Sequence, residues 1–429
     1  MRGRLNLFQK MMLRWRSLHP YSAIHVLRLA VPLDEQALRS AIAAQLEGWG
    51  LTGLVLDAGQ RCFEYRGGKA APVLVILDGG ADVAATLDRE IERQLNMPFP
   101  AGQALDPFRF FAIRSDDGFH LGVAYDHFIA GGDAVASLLA AIASRYDSPK
   151  AASADTPMLY PPTYRSLFAR HPMLFLRALA QLPEMLGSTK LAVRPRYRDP
   201  DDTYNAFAHV RLSPPELGAL RAAATAWNVT LNDLLIAVLL LCLSPFAAER
   251  RSATRRREIA VASIVNIRRE FDPAVQRAFG QFLAALRVSH PVPDDISVDA
   301  LARAVHAETA RVKQHRLYLR TVFALALAGL YWPLLTLRQR RKVFAKHYPT
   351  WGGVTMLNVD ALWPRDGAPA PHDYLRGVST GPMTPVVMAI STAAGALSVG
   401  VSYRRSAFSP EVVAAISDQL RRCAQPAAQ

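Results

Sequence analysis

At 429 residues the chain exceeds the size of a usual single core, so its length predicts two domains. With 51% hydrophobic and 20% charged residues it can bury ample core, which excludes global disorder. The formal net charge of +14 suits an acidic partner: nucleic acid, an anionic membrane surface or an acidic carrier protein. No RNA- or DNA-binding motif and no regular interleaving of basic and aromatic residues accompanies that charge, which argues against nucleic acid. Cys62, Cys242 and Cys423 lie far apart without metal-ligand spacing, so neither zinc nor a disulfide framework is expected and a reducing compartment is. Residues 1–8 carry basic side chains but soon meet Gln9, Lys10 and Arg14, without the apolar stretch of a signal peptide. A cytoplasmic protein is the expectation.

In chain order, Asp34 is placed to cap a helix over 35–47, and 51–56 and 73–77 read as strands. An amphipathic helix is predicted over 83–95. Strands over 108–113 and 119–124, joined by Ser115-Asp116-Asp117-Gly118, predict a hairpin. A helix over 134–146, a Ser-, Ala- and Pro-rich loop over 147–163, and helical stretches over 164–169 and 172–186 follow. The polar, proline-broken run 194–202 is the expected linker between a domain over 1–193 and a second over 203–429. Beyond it come a strand over 206–212, a helix after Ser213-Pro214-Pro215, a buried helix over 231–243 and a strand over 258–265. A mostly helical region over 298–344, strands near 353–359, 385–392 and 396–403, and a helix over 410–423 complete the series. The apolar run 321–337 is at the lower limit for a membrane span and is read as a buried or cleft-lining helix, with membrane contact as the alternative.

The stretch Tyr125-Asp126-His127-Phe128-Ile129-Ala130-Gly131-Gly132-Asp133 puts one imidazole at a strand tip, before a helix. Its ordinary pKa near neutrality would let it take a proton from an incoming alcohol or amine. A lone histidine is more often structural, and two neighbours have plain explanations: Asp133 stands where a helix cap is wanted, and Asp126 is either an orienting or an exposed strand-end carboxylate. Arg250, Arg251, Arg255, Arg256 and Arg257 form one basic cluster, and Arg338, Arg340, Arg341 and Lys342 another. Each is read either as a solvated helix end or loop, or as a docking site for CoA phosphates, an acidic carrier or an anionic membrane face.

Several segments in one order resemble the CoA-dependent acyltransferase superfamily, which includes condensation domains and wax ester synthase/diacylglycerol acyltransferase-type enzymes. They are Leu7-Phe8-Gln9-Lys10-Met11-Met12 with His19-Pro20-Tyr21, Val31 to Arg39, Pro107-Phe108-Arg109-Phe110, Val229 to Leu235, Val265-Asn266-Ile267-Arg268, Phe279-Gly280-Gln281-Phe282, and Ala396 to Phe408. The superfamily motif is two histidines, three variable residues, then Asp-Gly. On this sequence Asp126 takes the first histidine position, His127 the second, Gly131 the aspartate and Gly132 the glycine.

The resemblance implies an α/β fold of two chloramphenicol-acetyltransferase-like domains in a V, with a central channel and a crossover from the second domain. It implies that His127 is the general base for acyl transfer from CoA or a phosphopantetheinyl carrier to a hydroxyl or amine, with no bound metal or organic cofactor. The motif aspartate would pair with an arginine at the position of Arg268. With Gly131 in its place, Asp126 or Asp133 could substitute if the Gly131-Gly132 backbone shifts, for instance through positive φ. Asn358 and Trp351 resemble residues of the substrate channel; a strand-end asparagine and a buried indole in a turn are the plain alternatives. A non-catalytic carrier-binding or scaffold relative is the competing function.

Overall fold

A computed structural model describes residues 2–149, 164–170, 172–271, 273, 278–291, 293–363 and 371–425. The loop expected over 147–163 falls almost wholly outside them. The strands in chain order are β1 (Arg2–Arg4), β2 (Ser22–Leu29), β3 (Leu54–Leu56), β4 (Cys62–Tyr65), β5 (Leu74–Asp78), β6 (Ala104–Leu105), β7 (Phe108–Ser115), β8 (Gly118–Asp126), β9 (Asn205–Leu212), β10 (Ile259–Asn266), β11 (Leu283–His290), β12 (Gly352–Asn358), β13 (Asp373–Val378), β14 (Val386–Ala393) and β15 (Ala396–Arg404). They form two large sheets, one per lobe, and a small one of order β1-β4-β3-β6.

The first lobe is built on the order β13-β2-β8-β7-β5. Its β7–β8 hairpin pairs Phe108 with Tyr125 and closes at Ser115 with Gly118, as the turn sequence predicts. Both faces are covered, so these strands read as apolar runs rather than as an alternation. Phe111, Ile113, Ile24 and Val26 pack under Leu87, Ile91 and Leu95 of the helix Val83–Asn96. Phe108, Phe110, Val123 and Tyr125 face the opposite core, shared with the helices Glu35–Gly48 and Gly132–Asp147.

The second lobe has the order β11-β10-β12-β14-β15-β9, with β10, β12 and β14 mutually parallel. The helix Leu231–Leu243 is buried nearly all round and starts in a capping box between Thr230 and Asp233. It packs so closely on β12 that a Cβ at Gly352 would lie 2.8 Å from Leu239.

The lobes interlock through β13. This strand comes from the C-terminal half of the sequence yet pairs antiparallel with β2 of the first lobe, Arg376 opposite His25. It passes over β15 at Gly400, where a Cβ would stand 1.9 Å from the carbonyl oxygen of Arg376 and only glycine fits. Phe207 of β9 reaches the other way, into the first lobe's core beside Ile91 and Leu375. Residues 194–202 contain no helix or strand, and Arg198 N–H donates to the Ser406 carbonyl at 2.7 Å.

The apolar run 321–337 departs from its expected burial. The helix Arg320–Tyr331 and the turn Trp332–Leu334 bury Val322, Leu325 and Trp332, but Leu330, Tyr331 and Leu334 are 72, 61 and 78% exposed. It lies against the helix Pro172–Ala180, Phe323 meeting Phe175 at 5.0 Å, and Met173, Leu176 and Leu179 there are exposed as well. In the first basic cluster Arg250 departs too. Arg250 is 1% exposed, ion-paired with Asp294 and bonded to the Ser244 carbonyl at 2.8 Å, so it is an internal anchor rather than a solvated charge.

Candidate active site

β8 ends at Asp126, and the five residues that follow are held on three sides. Gln9, from the N-terminal helix Leu7–Arg16, donates to the Phe128 carbonyl at 3.2 Å, and Gln281 Nε2 donates to the His127 carbonyl. Gly131 N–H donates to the Gly280 carbonyl at 3.0 Å, and His127 N–H to the Tyr21 carbonyl at 3.2 Å. Asn6 in turn donates to the Gln281 carbonyl at 2.9 Å. The N-terminal helix, the first lobe and the 278–282 turn of the second lobe therefore fix one loop together.

That loop presents His127 between two tyrosines, its ring centroid 5.3 Å from Tyr21 and 5.9 Å from Tyr125. The side chain is half-buried. Its Nδ1 lies 3.4 Å from Gln281 Nε2, too long a contact to fix the tautomer, and Nε2 has no hydrogen-bond partner among the described residues. Burial and then the nearby Arg376 cation lower the imidazole pKa to about 4, so at neutral pH the ring is unprotonated.

Arg268 faces the loop from the second lobe, at the end of β10. Its partner is Asp133 and not Asp126: Nε pairs with Oδ2, and Nη2 reaches Oδ1 at 3.2 Å. Asn266 adds a bond to Asp133 Oδ2 at 2.8 Å. The remaining donors of Arg268 go to the Ala278 carbonyl and, at 3.1 Å, to the Gly280 carbonyl. The carboxylate that meets the arginine thus stands two residues beyond the motif position.

Positive φ is not what allows this. Gly131 sits at φ −78 and caps the helix Gly132–Asp147, so Asp133 lies inside the first turn and is not the cap expected of it. The glycines instead leave room: a Cβ at Gly131 would stand 2.8 Å from Asp133 Oδ1, and one at Gly132 2.8 Å from Arg376 Nη1. The helix N-terminus favours the Asp133 charge as well.

The other sequence-selected residues separate from this group. Asp126 is buried and turned to Arg16, with which it forms an ion pair, while burial pushes its carboxyl up to about 6. It is therefore not the exposed strand-end carboxylate expected: it secures the loop to the N-terminal helix, and among the described residues it makes no contact that would orient His127. Asn358 is exposed at the end of β12, its amide oxygen accepting from Ala361 N–H at 3.3 Å and the Thr392 hydroxyl at 3.4 Å, which is the strand-end role. Trp351 does not line a channel: the indole is 2% exposed and donates to the Val193 carbonyl at 3.0 Å.

Beneath His127 lies a polar cluster that the sequence reading missed. His25 Nδ1 meets the Tyr374 hydroxyl at 2.7 Å and its Nε2 the Tyr125 hydroxyl at 3.4 Å; burial, then Arg376 and His127, hold the His25 pKa well below its ordinary value. Arg376 stands beside His25 across the β2–β13 pairing. A period-two reading of the strands would have placed His25 and Tyr125 on one face, but β13 was not recognised as a strand. Gln281 is legible in the sequence only as part of the Phe279-Gly280-Gln281-Phe282 segment.

No protein-family model matches the chain, and no curated protein matches it in sequence. Solved structures do match its fold over almost the full length. The first condensation domain of the calcium-dependent antibiotic synthetase, in complex with a substrate analogue, aligns with TM-score 0.71 at 16% identity, covering 100% of this chain and 98% of that one. The condensation domain of the monacolin K polyketide synthase MokA gives 0.68 at 14% identity over 99% and 96%. The epimerization domain from the third module of tyrocidine synthetase B gives 0.64 at 15% over 99% and 97%. The chain therefore has the two-lobed α/β fold of condensation domains.

Proposed function

We propose that the protein is an acyltransferase that moves an acyl group from a CoA or carrier-protein thioester to a hydroxyl or amine, with His127 as general base. One observation carries the reading: a neutral, half-buried imidazole whose Nε2 has no partner among the described residues, on a loop clamped from both lobes. Such a nitrogen takes the acceptor's proton as the acceptor oxygen or nitrogen attacks the thioester carbonyl; the C–S bond then breaks and the imidazolium returns the proton to the sulfur, which leaves as the thiol. The acyl group arrives activated, so the step calls for no resident metal or organic cofactor.

An anionic donor is supported by a groove lined by Lys190, Arg194, Arg255, Arg256, Lys346 and His347, with no acidic residue in its lining. CoA phosphates and an acidic carrier protein both fit that charge. Mixing the purified protein with acyl-CoA and acyl-carrier donors and candidate alcohols and amines, read by intact mass and thiol release, tests the reaction. Transfer that disappears in His127→Ala supports it. Carrier binding without transfer from any donor favours instead a non-catalytic, carrier-binding scaffold.

A second reading adds a membrane. The exposed apolar ridge of Met173, Leu176, Leu330, Tyr331 and Leu334 adjoins the cationic helix Leu337–His347, and residues 317–347 contain no Asp or Glu. A cytoplasmic enzyme resting there would acylate a lipid-like alcohol. Co-sedimentation with vesicles containing anionic lipid, weakening as salt rises, is the expected result; sedimentation indifferent to lipid charge would remove this reading.

A further inference from the structure

Arg376 is 3% exposed and is the cation that perturbs His127. Its Nη2 donates to the carbonyls of Thr355 at 2.8 Å and Ile390 at 3.1 Å, the only bonds within 3.2 Å that the guanidinium makes among the described residues. Nε is buried with no partner among the described residues. Nη1 makes no hydrogen bond there either and points at Gly132, where an added Cβ would stand 2.8 Å from it. No carboxylate among the described residues pairs with this charge. The nearest one that acts on it, Asp133, is already bound by Arg268 and Asn266.

A guanidinium presents five donors in a planar fork suited to two oxygens, and removing one from water without an anion is unfavourable. Here the fork is held by one nitrogen against two strand carbonyls, while its Nε–Nη1 edge has no partner among the described residues and faces Gly132 of the motif loop. His25, Tyr125 and Tyr374 around it are neutral at neutral pH, so nothing in the cluster cancels the charge. The cluster is complementary to a small organic anion.

We infer that Arg376 is the recognition site for a carboxylate carried by one of the two reacting molecules, set beside His127 by the Nε–Nη1 edge. The inference rests on the transfer reading for what the molecule is, but not on turnover for its test. The carboxylate has two sources: the far end of a dicarboxylic acyl group on the donor, or the acid group of the acceptor.

Two matched pairs separate them by calorimetry on the full chain. S-glutaryl-pantetheine against its methyl ester probes the donor; 3-hydroxyoctanoate against its amide probes the acceptor. Pantetheine lacks the nucleotide phosphates, so the basic groove does not confuse the result. The carboxylate member of one pair is expected to bind roughly 10- to 100-fold tighter than its neutral partner, as charged hydrogen bonds would give.

In Arg376→Met that ratio is expected to fall to near one, and Arg376→Lys to keep part of it. Gly132→Ala, which crowds Nη1 without removing the cation, should also lower the ratio and stands in should the methionine variant not fold. Equal binding within both pairs, no binding of either carboxylate, or an unchanged ratio in the variants would overturn the inference. A preserved ratio in a protein that transfers no acyl group would overturn only the enzymatic reading.

Discussion

Arg268 and Arg376 are two buried guanidiniums on either side of one loop, and they are built differently. Arg268 is closed on itself: Asp133 takes two of its nitrogens, the turn at 278–280 takes the rest, and Phe282 lies under it at 4.3 Å. Arg376 is bonded along one edge and, among the described residues, unpartnered along the other. Full satisfaction marks a residue that holds lobes together, and an unpartnered buried charge marks one waiting for something else. The same loop thus has a structural side and a chemical side, with His127 between them.

The largest effect expected belongs to the chemical side. His127→Ala should lower acyl transfer about 10²- to 10⁴-fold, as loss of a general base does, without changing the melting temperature by more than a few degrees. Transfer that survives the change would move the base elsewhere and dissolve the contrast between the two sides.

The stability experiment sharpens it. Arg268→Met takes the ion-pair partner from the half-buried Asp133 carboxylate, and Asp133→Ala strands the buried guanidinium; each should cost up to about 3–5 kcal/mol in denaturant unfolding. Arg376→Met leaves no ion behind, so its stability should stay within about 1 kcal/mol of the parent or rise. A loss at Arg376 as large as that at Arg268 would make both arginines structural.

The acid limb of the rate is a finer probe. An imidazole lowered to about 4 stays unprotonated and competent as a base far below its ordinary 6.5, so kcat/KM should hold down to about pH 5 and fall only near 4. Because Arg376 is one of the two causes, Arg376→Met should move that limb upward in pH. Asp133 and Arg268 stay paired, and Tyr21, Tyr125 and His25 stay neutral, so they leave the direction unchanged. A limb at 6.5 in the parent would mean that water reaches the ring freely.

The difference between these two sides also explains what could be read from sequence. The hairpin was legible because Ser115-Asp116-Asp117-Gly118 separates two apolar runs, and the helix Leu231–Leu243 because its capping box and apolar run are local signals. The Arg268 partner was narrowed to two carboxylates, since spacing cannot tell how the backbone between Gly131 and Asp133 turns. Arg376 was invisible for a different reason. Its strand, Asp-Tyr-Leu-Arg-Gly-Val, is short and holds a glycine and two charges, and it becomes a strand through the long-range pairing with β2. The apolar run 321–337 misled in the opposite sense: composition measures how apolar a helix is, not whether another element arrives to cover it.

The smallest expected effect tests where the chemical side ends. Asn358 resembles a channel residue, yet its side chain is exposed and makes bonds of 3.3 and 3.4 Å, both beyond the usual hydrogen-bond range. Bonds that long in contact with water are replaced by water when lost, so Asn358→Ala should change stability by no more than about 0.5 kcal/mol. Its effect on transfer should be less than about twofold, within that same margin. A tenfold drop in kcat/KM with unchanged stability would instead carry the reacting groups out along β12. The boundary would then run through the second lobe rather than at the loop that Arg376 faces.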